Sequence, residues 1–330
     1  MAKCVVIGSN AFSGQDFVDL LLSETDWQVI GVSRLPERPD FMLRYKSNPQ
    51  IGRFTFHRFD LNHDPAGLLA MLDRERPEFI VNFAAQSEVA PSWEHPEHWF
   101  ATNTVALARL VNHLRRRDYL SRYLHVSSPE AYGNCVGTVT EETPDNPSTP
   151  YAASKSAADM LVKVYQKQYD FPAMWVRATN IYGARQQLFK IVPRSVIYIE
   201  LGRKVRLDGG GVAVKSYIHV RDVSRAELDM LQRGRVGERY HVSPDAGIAV
   251  RDAVGTISEL MGRRFADVTE VGPERPGQDA AYVIDSTKIR TELGWRPTIN
   301  IEQGLKETID WVKQHWAEVS RQPLEYQHQA

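Results

Sequence analysis

The chain of 330 residues is poor in cysteine, with two, and its net charge at pH 7 is only −1. Two thiols, Cys4 and Cys135, make no disulfide framework and lack the paired spacing of a metal knuckle. A reducing compartment is their simplest setting, and a cytoplasmic location is expected. With 40 Lys and Arg against 41 Asp and Glu, the chain has no electrostatic handle for nucleic acid or an anionic membrane. Its one basic run, Arg115-Arg116-Arg117, is short and suits the negative end of a helix. No long apolar stretch is present, which excludes a helical membrane span. The N-terminal apolar run Cys4-Val5-Val6-Ile7 is too short for a signal-peptide core. Internal repeats and low-complexity tracts are also lacking.

What is present is an ordinary globular composition, 42% apolar and 25% charged, long enough for one large or two modest domains. Short apolar runs read as buried strands at 4–7, 28–32, 54–59, 79–83, 123–126 and 174–176. Helical spacing fills most gaps, at 12–22, 65–73, 95–117 and 151–169. This alternation predicts an α/β fold with a parallel sheet covered on both faces. Ligands of such sheets bind at the carboxyl ends of the strands, where Gly8, Asp60, Ala84 and Ser127 fall. After Arg177 the pattern loosens. Helices are expected at 188–201, 250–261 and 301–316, and strands at 205–207 and 216–219. The polar tail after Gln322 is expected to fray.

The turn Gly8-Ser9-Asn10-Ala11-Phe12-Ser13-Gly14 follows the first strand and opens the first helix. Backbone N–H groups and the helix dipole there can hold a pyrophosphate. Ala11 stands where a middle glycine is expected. At the end of the second strand, Gly31-Val32-Ser33-Arg34 shows no acid for a ribose 2′-hydroxyl before Glu37. A hydroxyl followed by a guanidinium suits a 2′-phosphate, so NADP is favoured over NAD.

Tyr151 and Lys155, four residues apart, share one face of a helix. An ammonium there is expected to lower the phenol pKa, so that Tyr151 exchanges a proton with a substrate hydroxyl. With the Ser127-Ser128-Pro129-Glu130 run closing an apolar strand, the pair reads as a hydride-transfer site for an alcohol.

These residues carry a resemblance over nearly the whole length. The glycine turn, Asn82-Phe83-Ala84-Ala85-Gln86-Ser87, Ser127 to Gly133, Thr149 to Lys155 and Asn180-Ile181-Tyr182-Gly183 resemble extended short-chain dehydrogenases/reductases. The similarity is to the nucleotide-sugar 4,6-dehydratase branch, which includes GDP-mannose and dTDP-glucose 4,6-dehydratases. Arg275-Pro276-Gly277-Gln278-Asp279 and Leu293-Gly294-Trp295-Arg296-Pro297 extend it. The resemblance implies a Rossmann-type doubly wound parallel sheet, residues 1–180 plus roughly 217–245. A smaller α/β substrate-binding lobe would comprise 181–216 and 246–330. It implies a tightly bound, recycled NADP or NAD held by Gly8, Asn10, Ala11, Phe12, Ser13, Gly14, Ser33, Arg34, Asp60, Leu61, Phe83, Ala84, Ala85, Tyr151 and Lys155.

The implied catalytic residues are Ser128, Glu130, Tyr151 and Lys155. Ser128 would bond the sugar 4-hydroxyl, Tyr151 would take its proton, and Lys155 would hold the nicotinamide ribose. Glu130 would remove the C5 proton that a 4-ketone acidifies. Water would leave C6 and hydride return there, giving a 4-keto-6-deoxy sugar nucleotide. Pro129 departs from the dTDP-glucose enzymes, which carry an aspartate there. The GDP-mannose enzymes also lack that acid, so Glu130 serves as both base and acid, or else no elimination occurs and the enzyme is an epimerase or 4-reductase. A non-catalytic dinucleotide sensor would not need Ser128, Tyr151 and Lys155 together.

Ser87, Ser128, Asn180, Lys190, Arg194, Lys215 and Arg275 are the implied contacts to a nucleotide-diphosphate sugar, with GDP-mannose first and dTDP-glucose or CDP-glucose next. Lys215 replaces the arginine usual in such enzymes. Most tryptophans among Trp93, Trp99, Trp175, Trp295, Trp311 and Trp316 are expected to pack in the core. His57, His63, His95, His98 and His113 share no metal spacing, and no metal is expected. A homodimer through helices 95–117 and 151–169 is implied, with an apolar row of Ala157, Leu161 and Val164.

Overall fold

The computed structural model describes residues 1–135, 137–273 and 281–329. Seven strands form one parallel sheet: β1 (Lys3–Ile7), β2 (Gln28–Ser33), β3 (Phe54–Arg58), β4 (Phe79–Asn82), β5 (Arg122–Val126), β6 (Ala173–Ala178) and β7 (Arg239–Val242). Their order across the sheet is β7-β6-β5-β4-β1-β2-β3. The order reverses between β1 and β4, so a crevice opens above their carboxyl ends. This is the expected Rossmann-type α/β architecture.

Alternation explains both faces. Cys4 and Val6 of β1 point into one core with Phe17, Leu21 and Met230. Val5 and Ile7 point into the other with Leu72, Leu110 and Val162. The first core is covered by α1 (Phe12–Glu24) and by Val220–Arg233, and the second by α2 (Pro65–Glu75), α4 (Leu107–Leu114) and α5 (Pro150–Tyr169). A third core joins Ile191–Glu200, Val250–Leu260 and Ile301–Gln314, all three expected as helices at closely similar bounds.

Three local departures bear on the site. The helix expected at 95–117 is broken into α3 (Pro96–Phe100), a π turn (Ala101–Ala106) and α4. Thr102-Asn103-Thr104 are weak helix formers, and the Asn103 side chain is bonded elsewhere. The expected strand at 216–219 is two short pieces, Val214–Lys215 and Ile218–His219. The tail does not fray: residues 322–329 lie along the crevice, and Gln322, Tyr326 and Gln329 line it. Trp99, Trp175, Trp295 and Trp311 are buried as expected, whereas Trp93 is 64% exposed.

A buried ion network ties α5 to the sheet. Arg177 of β6 has no exposed surface, yet its guanidinium bonds Asp145 at 2.8 and 3.1 Å and Asp159 of α5 at 2.6 Å. Arg177→Met strands two buried carboxylates and should cost about 3–5 kcal/mol of stability. Urea denaturation measures it, and a loss below about 1 kcal/mol would show that the network is not structural.

Candidate active site

The crevice is a cleft of about 570 Å³ lined by Gly8, Asn10, Ala11, Ser33, Arg34, Asp60, Leu61, Phe83, Ala84 and Ala85. Ten of the expected cofactor residues therefore meet in one place. Phe12, Ser13 and Gly14 begin α1, whose N-cap residue Ala11 supplies no side-chain cap. An uncapped first turn leaves N–H groups and the dipole for an anion.

Gly8 has φ +89, and a Cβ there would lie 2.8 Å from the Ala84 nitrogen. A Cβ on Gly14 would lie 2.2 Å from the Gly8 carbonyl. Both glycines are thus required for strand end, turn and helix to close on one another. Ala11 needs no such freedom, because it takes an extended conformation at φ −67. The buried side-chain oxygens Ser9 Oγ and Asn10 Oδ1 find no hydrogen-bond partner among the described residues. A glycine-framed, uncapped helix start with orphaned polar atoms fits a dinucleotide diphosphate.

At the end of β2, Ser33 Oγ accepts from the Asn10 N–H at 3.0 Å. Arg34 Nη2 donates to the carbonyl of Gln329 at 3.0 Å. Glu37, the nearest acid, accepts from Tyr45 and Lys46, both at 2.8 Å. Asp60 Oδ1 accepts from the N–H groups of Asn62 and His63. Burial works to raise the Asp60 pKa, but these bonds outweigh it and hold the carboxyl below its usual value.

Beside the end of β5, outside the residues that line the cleft, α5 carries the Tyr151/Lys155 pair. Pro150 opens the helix and Thr149 caps it, its hydroxyl accepting from the Ala152 N–H at 3.1 Å. Tyr151 is 8% exposed and Lys155 3% exposed. The Tyr151 phenol hydrogen-bonds the hydroxyl of Ser128, which caps the turn Pro129–Tyr132 by accepting from the Glu130 N–H at 3.2 Å. Pro129 is buried. Ser128, Glu130, Tyr151 and Lys155 are therefore brought together by β5, the turn after it, and α5.

The electrostatics correct one expectation. Burial raises the Tyr151 pKa, the Glu130 carboxylate raises it further, and only the Ser128 hydrogen bond works against them. The phenol is held protonated rather than acidified. Lys155 Nζ donates to the Val126 carbonyl at 2.6 Å. Burial pushes the Lys155 ammonium down to about 8, with Asp159 opposing and Arg177 adding to the shift. The lysine is tied to the strand end and to the ion network below it, so its field does not offset the desolvation of the phenol.

Asn103 escaped the sequence reading. Its Oδ1 accepts from the Gln86 N–H at 2.8 Å, and its Nδ2 donates to the Gln86 carbonyl at 3.0 Å and to Ser154 Oγ at 2.9 Å. Ser154 Oγ in turn donates to the Tyr151 carbonyl at 2.7 Å. One amide on the π turn thus clamps the loop after β4 onto α5. An asparagine between threonines inside a helical pattern was the available signal.

The expected substrate contacts are dispersed. Ser87 lines the cleft. Asn180 is half-buried with its Nδ2 unpartnered among the described residues. Lys190 pairs with Glu88 at 2.8 Å. Arg194 sits on Ile191–Glu200 and Lys215 on the strand Val214–Lys215. Arg275 lies outside the described residues.

A family model described as GDP-mannose 4,6 dehydratase matches residues 5–308. A dTDP-glucose 4,6-dehydratase of Xanthomonas campestris is 33% identical over 277 residues, covering 77% of this chain and 78% of that protein. One from Mycobacterium tuberculosis is 35% identical over 239 residues, covering 71% of each. Among solved structures, dTDP-glucose 4,6-dehydratase from Streptomyces venezuelae, with NAD bound, aligns with TM-score 0.87 and 29% identity, covering 96% of this chain and 98% of that one. A UDP-glucuronic acid 4-epimerase from Bacillus cereus aligns with TM-score 0.85 at 22% identity over 94% of this chain and 99% of that one, a likeness of fold alone. The parallel sheet, the glycine-framed cleft and the match over residues 5–308 lead to one conclusion: the chain belongs to the GDP-mannose 4,6-dehydratase family of extended short-chain dehydrogenases/reductases.

Proposed function

We propose that this protein is a nucleotide-sugar 4,6-dehydratase, and that the meeting of Glu130 with Tyr151 and Ser128 carries that reading. Hydride removal and return alone would need no carboxylate beside the phenol. Glu130 belongs to the turn that Ser128 caps, and its carboxylate acts on the Tyr151 phenol, which supports a single sugar meeting both groups.

Ser128 orients the 4-hydroxyl and Tyr151 accepts its proton. A dinucleotide held by the residues of the cleft would supply hydride acceptance from C4, hydride return to C6 and a positive charge able to lower a nearby phenol pKa. That charge favours the phenolate, which burial opposes. Lys155 keeps an ammonium at the strand end. Glu130 takes the C5 proton and passes a proton to the departing 6-hydroxyl, because buried Pro129 has no group to do so. A proton then returns to C5, and the balance is loss of one water.

Of the two dinucleotides, NAD is put first. Arg34 already donates to a main-chain carbonyl, and the Streptomyces venezuelae and Bacillus anthracis enzymes were solved with NAD. The lobe of 181–216 and 246–330 is assigned to the nucleotide sugar, with Asn180, Lys190, Arg194, Lys215 and Arg275 toward its diphosphate. The names of the relatives put dTDP-glucose ahead of GDP-mannose, and CDP-glucose follows. A homodimer is assigned to the face where Val105, Met160 and Val164 are exposed by 48%, 60% and 61%. No described helix is long and apolar enough to cross a membrane.

Incubation with each nucleotide sugar, followed by mass spectrometry, should show loss of one water from one of them without added reductant. Glu130→Gln should abolish that loss while still reducing the bound dinucleotide, seen as absorbance near-ultraviolet. Turnover without mass change, or an unimpaired Glu130→Gln enzyme, would refute the assignment.

The Lys155 ammonium is present below about 8 and lost above it. Turnover should therefore fall on the alkaline side with an apparent pKa near 8, and a flat profile up to pH 9.5 would count against the role. Val164→Glu should convert a dimer to a monomer by light scattering. A monomeric unmodified protein would end the dimer assignment.

A further inference from the structure

The segment Tyr326–Gln329 closes one side of the dinucleotide cleft, and side chains of the cleft hold it there. The carbonyl of Gln329 accepts from Arg34 Nη2 at 3.0 Å and from Gln86 Nε2 at 2.6 Å. Both donors line the cleft. Arg34 directly follows β2, the place where such folds read the ribose 2′ position.

The tail is anchored next to this contact. His328 Nε2 lies 2.9 Å from His98 Nδ1, and His328 Nδ1 lies 3.1 Å from the Tyr326 hydroxyl. The His328 ring stacks on Trp99, with centroids 5.3 Å apart and planes at 11°. Tyr326 meets Phe189 edge-on at 5.5 Å. A flexible polar tail would not keep a carbonyl on Arg34 without such anchors, because ordering the chain costs about 1–2 kcal/mol per residue.

We infer that this segment sets cofactor selectivity at the 2′ position: the Gln329 carbonyl on Arg34 turns a phosphate-type guanidinium into one that accepts a 2′-hydroxyl. A 2′-hydroxyl is neutral and does not compete with that carbonyl for Arg34. A 2′-phosphate would meet its partial negative charge, and could reach Arg34 only by displacing the tail with its two hydrogen bonds and the His328 stack. The inference rests on the reading of the cleft as a site for NAD.

The test is equilibrium binding of NAD and NADP to protein stripped of nucleotide, followed by tryptophan fluorescence or calorimetry. The unmodified protein should prefer NAD. In the full-length Tyr326→Ala/His328→Ala variant, NADP should bind at least about tenfold tighter than before while NAD changes less than about threefold. Adding Arg34→Ala to that variant should remove the gain. Thermal melts of each variant exclude unfolding as the cause, and His328→Asn alone should give a smaller shift of the same sign. An unchanged NADP-to-NAD ratio, or a gain that survives Arg34→Ala, overturns the inference. An unmodified protein that prefers NADP also overturns it while leaving the dinucleotide site standing. One that binds neither dinucleotide brings down the cleft assignment itself.

Discussion

Beneath α5 lies a guanidinium with no exposed surface, and the geometry of the candidate site rests on it. Arg177 reaches from β6 to Asp159 of α5 and to Asp145 of the preceding loop, and its cation lies 4.2 Å from the Tyr132 ring centroid. Ser127 Oγ donates to the same Asp159 carboxylate at 2.6 Å. Burying three charges is costly, and only near-complete pairing offsets the cost. Such a network tolerates little displacement, so it fixes α5 relative to the end of β5. Ser128 follows Ser127 directly, and Lys155 lies one turn before Asp159. The residues assigned to chemistry are therefore positioned by the buried charge cluster beside them. Its neutral neighbours obey the same constraint: burial pushes His125 and His241 down to about 3, so neither adds a positive charge at neutral pH.

The opposite wall is set by hydrogen bonds rather than charge. Asn103 reaches both Gln86 and Ser154 from the π turn. The Asn103 side chain thus bridges the loop of the dinucleotide cleft and α5. The Tyr151 phenol sits between these two frames, where desolvation outweighs the hydrogen bond that would acidify it. Burial thus keeps the phenol protonated unless positive charge is brought beside it.

Arg34 illustrates how a side chain's meaning depends on its partner. Its position after β2 and its geometry suit phosphate. A main-chain carbonyl nearly three hundred residues away in sequence occupies one of its donors. That carbonyl is held by an imidazole stacked on Trp99, in a tail whose composition alone suggests disorder.

The short apolar strand runs between helical segments, the glycines at Gly8 and Gly14, and the i, i+4 placement of Tyr151 and Lys155 were legible in the sequence. Each follows a local rule: a strand buried on both faces is apolar throughout, a close backbone approach excludes a Cβ, and residues four apart share one helical face. The strand-end grouping of Gly8, Ala84 and Ser127 followed from one added rule, that parallel strands end at a common edge. The sequence did not reveal the Arg177 network, the reach of Asn103, the upward shift of the Tyr151 pKa or the contact of Gln329 with Arg34. Those depend on which distant groups share a low-dielectric space, and that is decided only when the sheet order brings β5, β6, α5 and the tail together.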